Sequence, residues 1–385
     1  MACSRLRIKM YPTEKQKVVL NNHFNGYRFA YNLCLDYKST MWKHYRINKS
    51  GYDMASELFE IRRETPWLAD CKAECIREAA LEVDKSFKNF FQGKGYPKFK
   101  SKHDKQSFHA YQSISCVGNR LKFYGQKIKF MCSEKYLNIL NENKIKQVTF
   151  KRDACGDYWA SCLVDGKPER ILPETDKVVG IDLGIKDLVV TSDGDKFENK
   201  RYFTNSQERL AVLQRRVSRK KKGSNNRNKS RIKVAKLHRK IARQREWYYH
   251  QISNQLLREN QTVVVETLRA KNMMRNHKLA KSIADASWST LVNMLEYKAK
   301  WYGRDIVKVD TFYPSSKTCS DCGNVKEQLL LSERTYDCEY CGLSIDRDVN
   351  AAINLRNSGI KTPGEPVEVR GYATVETGSK NLILN

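Results

Sequence analysis

Residues 177–194 read KVVGIDLGIKDLVVTSDG. An apolar run over 178–181 leads straight into Asp182, and a second run over 188–191 follows a short polar break. Apolar runs of this length, bounded by turn residues, read as buried strands. Asp193-Gly194 is a hairpin turn signal, flanked by the second run and by a third segment, 196–198. The stretch therefore predicts a buried strand, then a hairpin, with a carboxylate at the end of the first strand. Such a carboxylate is costly unless it binds something positive.

Outward from that strand, the same pattern recurs. QTVVVET, 261–267, has an apolar centre and ends on Glu266. SIDRDVNAA, 344–352, puts Asp346 and Asp348 at the start of a helix expected over 350–356. Between these lie a helix expected over 283–301 and a strand over 305–310. Two basic helices, 206–218 and 232–257, are expected before Glu266, joined by a Gly/Ser/Asn-rich linker over 219–231. A salt bridge explains any one of these acids. Three carboxylates on core elements of a very basic chain describe a site for Mg2+, with Mn2+ as a substitute, because hard cations take oxygen ligands and activate water for phosphodiester cleavage.

The chain of 385 residues carries 71 Lys and Arg against 43 Asp and Glu, a net charge of +28. That excess argues against a self-contained enzyme of small molecules and for a polyanionic partner, since each neutralised phosphate releases counterions. No apolar run approaches the roughly 18 residues needed to span a bilayer, and residues 1–10 lack the apolar core of a signal peptide. The expectation is a cytoplasmic protein with no membrane partner.

Cys319-x2-Cys322 and Cys338-x2-Cys341 are separated by 15 residues, the spacing of a structural zinc site. Gly323 and Gly342 follow the pairs and permit the tight turns. Four thiolates close the coordination sphere, so this zinc would hold structure and perform no chemistry. The remaining eight cysteines are scattered and expected reduced, mostly as small buried apolar residues.

In the N-terminal half, 4–10 alternates as a short strand. Leu20, Phe24, Tyr27, Ala30, Tyr31 and Cys34 mark one face of a helix, and 72–91 is a second helix. GKGYPKFKSKH, 93–103, is a basic loop. Short alternating runs at 121–124, 128–131, 147–151 and 159–164 predict a small β-barrel, completed by 4–10, with the helices inserted in it. Tyr27, Arg28, Tyr31, Phe99, Lys100, Phe108 and Tyr111 interleave aromatic rings with charge and are candidates for stacking on unpaired bases. Phe29, Phe87 and Phe90 are assigned to the core. Lys98 and Lys100 of the loop, with Lys72 and Arg77 of the second helix, are candidate nucleic-acid contacts. The densest basic run contributes Arg219, Lys220, Lys221, Lys222, Arg227, Lys229, Arg231, Lys236, Arg239, Lys240 and Arg243.

The order of elements is that of an RNase H-like (RuvC) layout. GIDLGIKDLVVTSDG, VVVETLRAKNMMRNHKLAKSIADASW, FYPSSKTCSDCG and CEYCGLSIDRDVNAAINL resemble the TnpB (OrfB) family of insertion sequences, relatives of the type V CRISPR effectors. NGYRFAYNLCLD and GYPKFKSKH also resemble the family's N-terminal half. The resemblance implies an RNA-guided DNA endonuclease with the catalytic, Mg2+-binding triad Asp182, Glu266 and Asp348. Asp348 is preferred to Asp346 because the family keeps an acid directly before x-N-x-A. Asp346 is then a helix cap or a supporting group, and Asp187 a loop residue. The implied partners are a noncoding guide RNA and double-stranded DNA bearing a short flanking motif, with the protein a monomer in the ribonucleoprotein.

The expected fold class is α/β plus β-barrel and multidomain. A wedge-like barrel takes 1–10 and 102–172, and a helical recognition domain takes 11–101. The RuvC nuclease domain takes 173–314 and 343–356, the zinc ribbon 315–342, and a loose tail 357–385, dispensable beyond about Pro366. The rivals are a compact CRISPR effector, a nuclease-inactive RNA-guided repressor, a strand-transfer transposase and a zinc-ribbon binding module. The intact acid set and the whole motif series argue against the last three; neighbouring genes separate the first.

Overall fold

The computed structural model describes residues 3–102, 105–165, 171–330 and 333–360. The tail from 361 on, and His103 of the basic loop, lie outside the described residues. The elements run β1 (Cys3–Met10), α1 (Glu14–Tyr45), α2 (Gly51–Glu64), α3 (Pro66–Ala69), α4 (Ala73–Phe91), β2 (Gln106–Ala110), β3 (Ser115–Val117), β4 (Arg120–Phe123), β5 (Gln126–Met131), α5 (Glu134–Glu142), β6 (Ile145–Arg152) and β7 (Tyr158–Asp165). There follow β8 (Val178–Asp182), β9 (Asp187–Thr191), β10 (Lys196–Glu198), α6 (Tyr202–Asn205), α7 (Gln207–Ser218), α8 (Asn225–Glu259), β11 (Thr262–Glu266) and α9 (Ala270–Met273). The chain continues with α10 (His277–Ala286), α11 (Trp288–Tyr302), β12 (Asp305–Val309), β13 (Thr335–Asp337), β14 (Ser344–Asp346) and α12 (Arg347–Gly359). None of the described helices is long and apolar enough to cross a membrane.

The chain forms two compact units, Met1–Glu169 with Ser206–Arg243, and Arg170–Asn205 with Gln244–Asn385. The first holds an antiparallel seven-stranded sheet in the order β2-β6-β7-β1-β5-β4-β3. The alternation in β1 decides its register: Leu6, Ile8 and Met10 are buried and Arg5 and Arg7 exposed, while its whole length pairs with β7 from Cys3↔Asp165 to Met10↔Tyr158. A slip of one residue would expose all three apolar side chains, each contributing about 1.5–3 kcal/mol of burial. Helices α1–α4 lie between β1 and β2 in the chain. A capping box between Thr13 and Gln16 starts α1, whose Leu20, Phe24, Tyr27 and Tyr31 join the sheet core.

The second unit holds a five-stranded sheet in the order β10-β9-β8-β11-β12. β8, β11 and β12 are parallel, and β9 and β10 antiparallel to their neighbours, the layout expected from the element order. Tyr249, Ile252 and Leu256 of α8 and Leu291 and Leu295 of α11 share a core with Val179, Ile181, Val263 and Val265.

Several expectations need correction. Helix α8 begins at Asn225, inside the expected linker, because Ser224 Oγ caps the Arg227 amide at 3.2 Å and no proline intervenes. The helix expected over 283–301 is two, broken at Ser287, which takes left-handed φ (44°). Helices α2 and α5 and strand β2 were not foreseen. Residues 206–243, expected in the nuclease domain, pack with the first unit, where Arg239 binds Asp153 (2.9 Å) and Asp157. Phe29 and Phe90, assigned to the core, are 38% and 36% exposed.

Candidate active site

Strands β8 and β11 pair in parallel with Val178 opposite Thr262 and Ile181 opposite Val265. The next residues in that register are Asp182 and Glu266, so the two carboxylates end neighbouring strands, which run about 4.8 Å apart. Helix α12 crosses the same sheet and carries Asp348 in its first turn. Its approach depends on Gly180, where a Cβ would meet the Ala352 carbonyl oxygen at 2.0 Å. Only glycine admits the helix backbone that closely.

Asp346 caps α12. One of its carboxylate oxygens accepts the amides of Asp348 (3.0 Å) and Val349 (3.2 Å), and the other accepts from Lys196 Nζ at 2.5 Å. Burial works against its charge, but Lys196 and these amides hold its carboxyl below the usual range. Trp288 Nε1 donates to the Gly184 carbonyl at 3.1 Å and pins the loop that follows Asp182.

Burial, then the charges of Glu266 and Asp348, push the Asp182 carboxyl up to about 8, against the opposing pull of Arg347 and the Leu183 amide. Burial also raises Glu266. In a chain of 71 basic residues, none comes within ion-pair distance of Asp182, Glu266 or Asp348 among the described residues. The three do not all gather within 4.8 Å of each other, as the cysteines do.

The sulfurs of Cys319, Cys322, Cys338 and Cys341 lie within 4.8 Å of one another. The pairs Cys319–Cys341 and Cys322–Cys338 are each 3.6 Å apart. A tetrahedral zinc with bonds of about 2.3 Å needs sulfurs about 3.8 Å apart, so the set fits a structural zinc. Gly323 and Gly342 take φ of 76° and 75° and donate back to Cys319 and Cys338, closing each knuckle. The amides of Cys341 and Tyr340 outweigh burial and draw the Cys338 thiol down to about 6.

Two residues passed over in the sequence connect this cluster to the acids. Asn350 and Asn354 of α12 are buried, at 0% and 3% exposure. Asn350 accepts the Ser320 amide (2.9 Å) and donates to the Thr318 carbonyl (2.7 Å). Asn354 donates to the carbonyls of Ser315 and Thr318 (2.8 and 2.6 Å). The first cysteine knuckle is thereby fastened to the helix that carries Asp348. The available signal was two asparagines at i, i+4 in an otherwise apolar helical run.

The nucleic-acid candidates separate into groups. Arg219, Lys220, Lys221, Lys222, Lys229, Arg231, Lys236, Lys240 and Arg243 are exposed, as is Lys98. Arg239 is paired with Asp153 and Asp157. Arg28 donates to Gln106 (3.0 Å), and Lys100 pairs with Glu82 (2.9 Å) over the rings of Tyr31 and Tyr27. Lys72 pairs with Glu74 (3.0 Å), and Arg77 with Glu78 (3.4 Å). Tyr27 is corrected: its ring is 1% exposed and its hydroxyl donates to Glu82, leaving no face for a base. Tyr31 and Phe108 are core for the same reason, at 4% and 0% exposure.

A family model for OrfB_IS605, described as "Probable transposase", matches residues 161–277, and one for a Cas12f1-like TNB domain matches 288–355. A third, described as a helix-turn-helix domain, matches 1–46, which here hold strand β1 and the single helix α1. A Streptomyces pristinaespiralis protein named "Putative RNA-guided DNA endonuclease" is 36% identical over 358 residues, 92% of this chain and 89% of its own. The Escherichia coli (strain K12) protein "Putative RNA-guided DNA endonuclease InsQ" is 28% identical over 92% of this chain and 91% of its own. Among solved structures, a Cas12f1–sgRNA–target DNA complex matches with a TM-score of 0.54 at 16% identity, over 94% of this chain and 99% of that one. CasPhi-2 (Cas12j) bound to crRNA matches at 0.50 and 9% identity, over 95% and 99%. These two likenesses establish a shared fold. With a relative 36% identical along 92% of its length, and the OrfB model lying across its acidic strands, the chain belongs to the TnpB (OrfB) family.

Proposed function

We propose that this chain is the RNA-guided DNA endonuclease of an insertion sequence, using a noncoding RNA from the transposon end as guide. One observation carries the proposal: three carboxylates at one end of a sheet, half-buried and without ion-pair partners, in a chain of net charge +28. A bound cation accounts for three such carboxylates set together, whose mutual repulsion otherwise keeps Asp182 protonated. The family's named relatives supply the RNA guide and DNA substrate.

In this reading Asp182, Glu266 and Asp348 are the RuvC triad and would hold two Mg2+ ions. Such ions, when bound, supply an activated water and stabilise the leaving oxygen of the phosphodiester. Asp182, whose carboxyl burial and the repulsion of Glu266 and Asp348 hold up, would give up that proton where a dication offsets the repulsion. Asp346, Lys196 and the asparagine clamp keep Asp348 aimed at the site. The seven-stranded sheet and helices α1–α4 make up the wedge-like barrel and its recognition insert. Arg28, Lys72, Arg77, Lys98, Lys100 and the basic run 219–243 then hold phosphates while the guide reads sequence by base pairing. Retention of all three acids counts against a nuclease-inactive repressor.

The test is plasmid cleavage by the protein co-expressed with its adjacent noncoding RNA, on targets with a randomised flank. Linearisation that requires guide, flank and Mg2+ supports the proposal. RNA-dependent binding without cutting would replace it with the repressor.

A further inference from the structure

Away from the carboxylates, a cavity of about 700 Å3 opens within the first unit between α7, the first half of α8 and the β6–β7 turn. Small-molecule sites span roughly 300–1,000 Å3. Val217, Val234, Ala235 and Ala242 provide apolar lining, and Arg227 and Arg231 stand beside them. The turn that forms the opposite wall is rigidly held. Asp153 accepts the amides of Cys155 (2.9 Å) and Asp157 (3.0 Å), Trp159 Nε1 (3.1 Å) and Arg239 (2.9 Å).

Arg239 is thus neutralised, whereas Arg227 and Arg231 have no acidic partner among the described residues. The Nε of Arg227 is also buried without an acceptor. A buried donor left unpaired is unfavourable until a ligand supplies the acceptor. A slot in which one face of α8 carries apolar side chains and, a turn or two away, two guanidinium groups without acidic partners matches a flat heterocycle carrying a phosphate. Arginine offers that phosphate a fork of parallel donors.

We propose that this cavity binds one unstacked nucleotide of a single strand, its base against Val217, Val234 and Ala235 and its phosphate on Arg227 and Arg231. The inference rests on the nucleic-acid reading above and adds to it a defined site. A duplex keeps its bases stacked and cannot enter without flipping one out. RNA and DNA strands offer the same chemistry here.

The test is fluorescence anisotropy of the full chain with three labelled probes of about 12 nucleotides, a length within the usual range of single-strand sites: single-stranded RNA, single-stranded DNA of the same sequence, and the DNA duplex. Ala235→Trp fills the cavity, and the double variant Arg227→Gln/Arg231→Gln removes the phosphate ligands. Each is expected to weaken single-strand binding about 10-fold, the loss of one stacked base, and duplex binding less than about 2-fold. A double variant outside the cavity, Lys220→Gln/Lys222→Gln, should weaken all probes alike. Melting curves establish that the variants fold, and the arginine pair decides the matter if Ala235→Trp does not. Loss confined to RNA, or to DNA, supports the site and names its strand. Unchanged single-strand binding, or equal loss on the duplex, overturns it. A wild type that binds none of the probes would overturn the nucleic-acid reading itself, independently of any cleavage result.

Discussion

Asp182 is where burial and function are most directly opposed. Its carboxyl is pushed up to about 8, well above the roughly 3.9 of an unfolded aspartate. The metal-free protein is therefore most favoured, as far as this group is concerned, below about pH 4, and loses that contribution as the pH rises through 8. Asp182→Asn cannot ionise and escapes the loss. In EDTA the variant should be the more stable by on the order of a few kcal/mol at pH 8, with the gap closing towards pH 4. Denaturant titrations at the two pH values would show it; a constant gap would mean that Asp182 is already neutralised by a group of the protein. Mg2+ should reverse the order at pH 8 by stabilising the wild type alone. The two candidate acids of α12 are also separable. Asp348→Ala should abolish cleavage, whereas Asp346→Ala should cost about 1 kcal/mol as a lost cap and leave cleavage reduced but measurable. The residues themselves favour neither aspartate, since both stand at the start of the same helix; the preference comes from the family resemblance. The N-cap hydrogen bonds account for Asp346, whereas the Asp348 carboxylate has no ion-pair partner among the described residues.

At the scale of elements, the site depends on where α12 lies. Gly180→Ala would drive a methyl group into the Ala352 carbonyl, so α12 and Asp348 must shift. A cost of about 2–3 kcal/mol, typical of overpacking, and near-complete loss of cleavage are expected, with guide RNA binding retained. Loss of both together would point to general unfolding instead. The asparagine clamp makes the zinc ribbon a second determinant of the same position. Cys338→Ser or a strong chelator should release about one zinc per chain and lower cleavage even when Mg2+ is restored, measurable by metal analysis beside activity. Strands were legible because alternation and apolar runs have a period visible over five residues, as at β1, β8 and β11. The break at Ser287 was not, because no glycine or proline marks it and its left-handed turn follows from packing on either side. The early start of α8 was hidden by Asn225, Asn226 and Asn228, residues that favour turns unless a cap such as Ser224 recruits them into a helix.

For the whole molecule, charge sets the partner and its affinity. Binding of nucleic acid should weaken steeply between about 50 and 200 mM salt, and a triple variant, Lys220→Gln/Lys221→Gln/Lys222→Gln, should flatten the slope by about 2 in log–log terms. An unchanged slope would remove these lysines from the interface. The polyanionic partner was legible in bulk composition, and the zinc set in cysteine spacing alone. Individual contacts were not, because exposure decides them: Tyr27 alternates with charge in the chain yet points into the core, while Phe91 stands 80% exposed. The central claim is that Asp182, Glu266 and Asp348 form one metal-dependent nuclease site. The most direct measurement is single-turnover cleavage of a matched DNA target by the purified ribonucleoprotein, titrated with Mg2+, for wild type and Asp182→Asn. Saturable, metal-dependent cleavage by the wild type, lost in the variant while guide and target binding persist, is the predicted result. Cleavage that survives Asp182→Asn, or proceeds undiminished in EDTA, would contradict it.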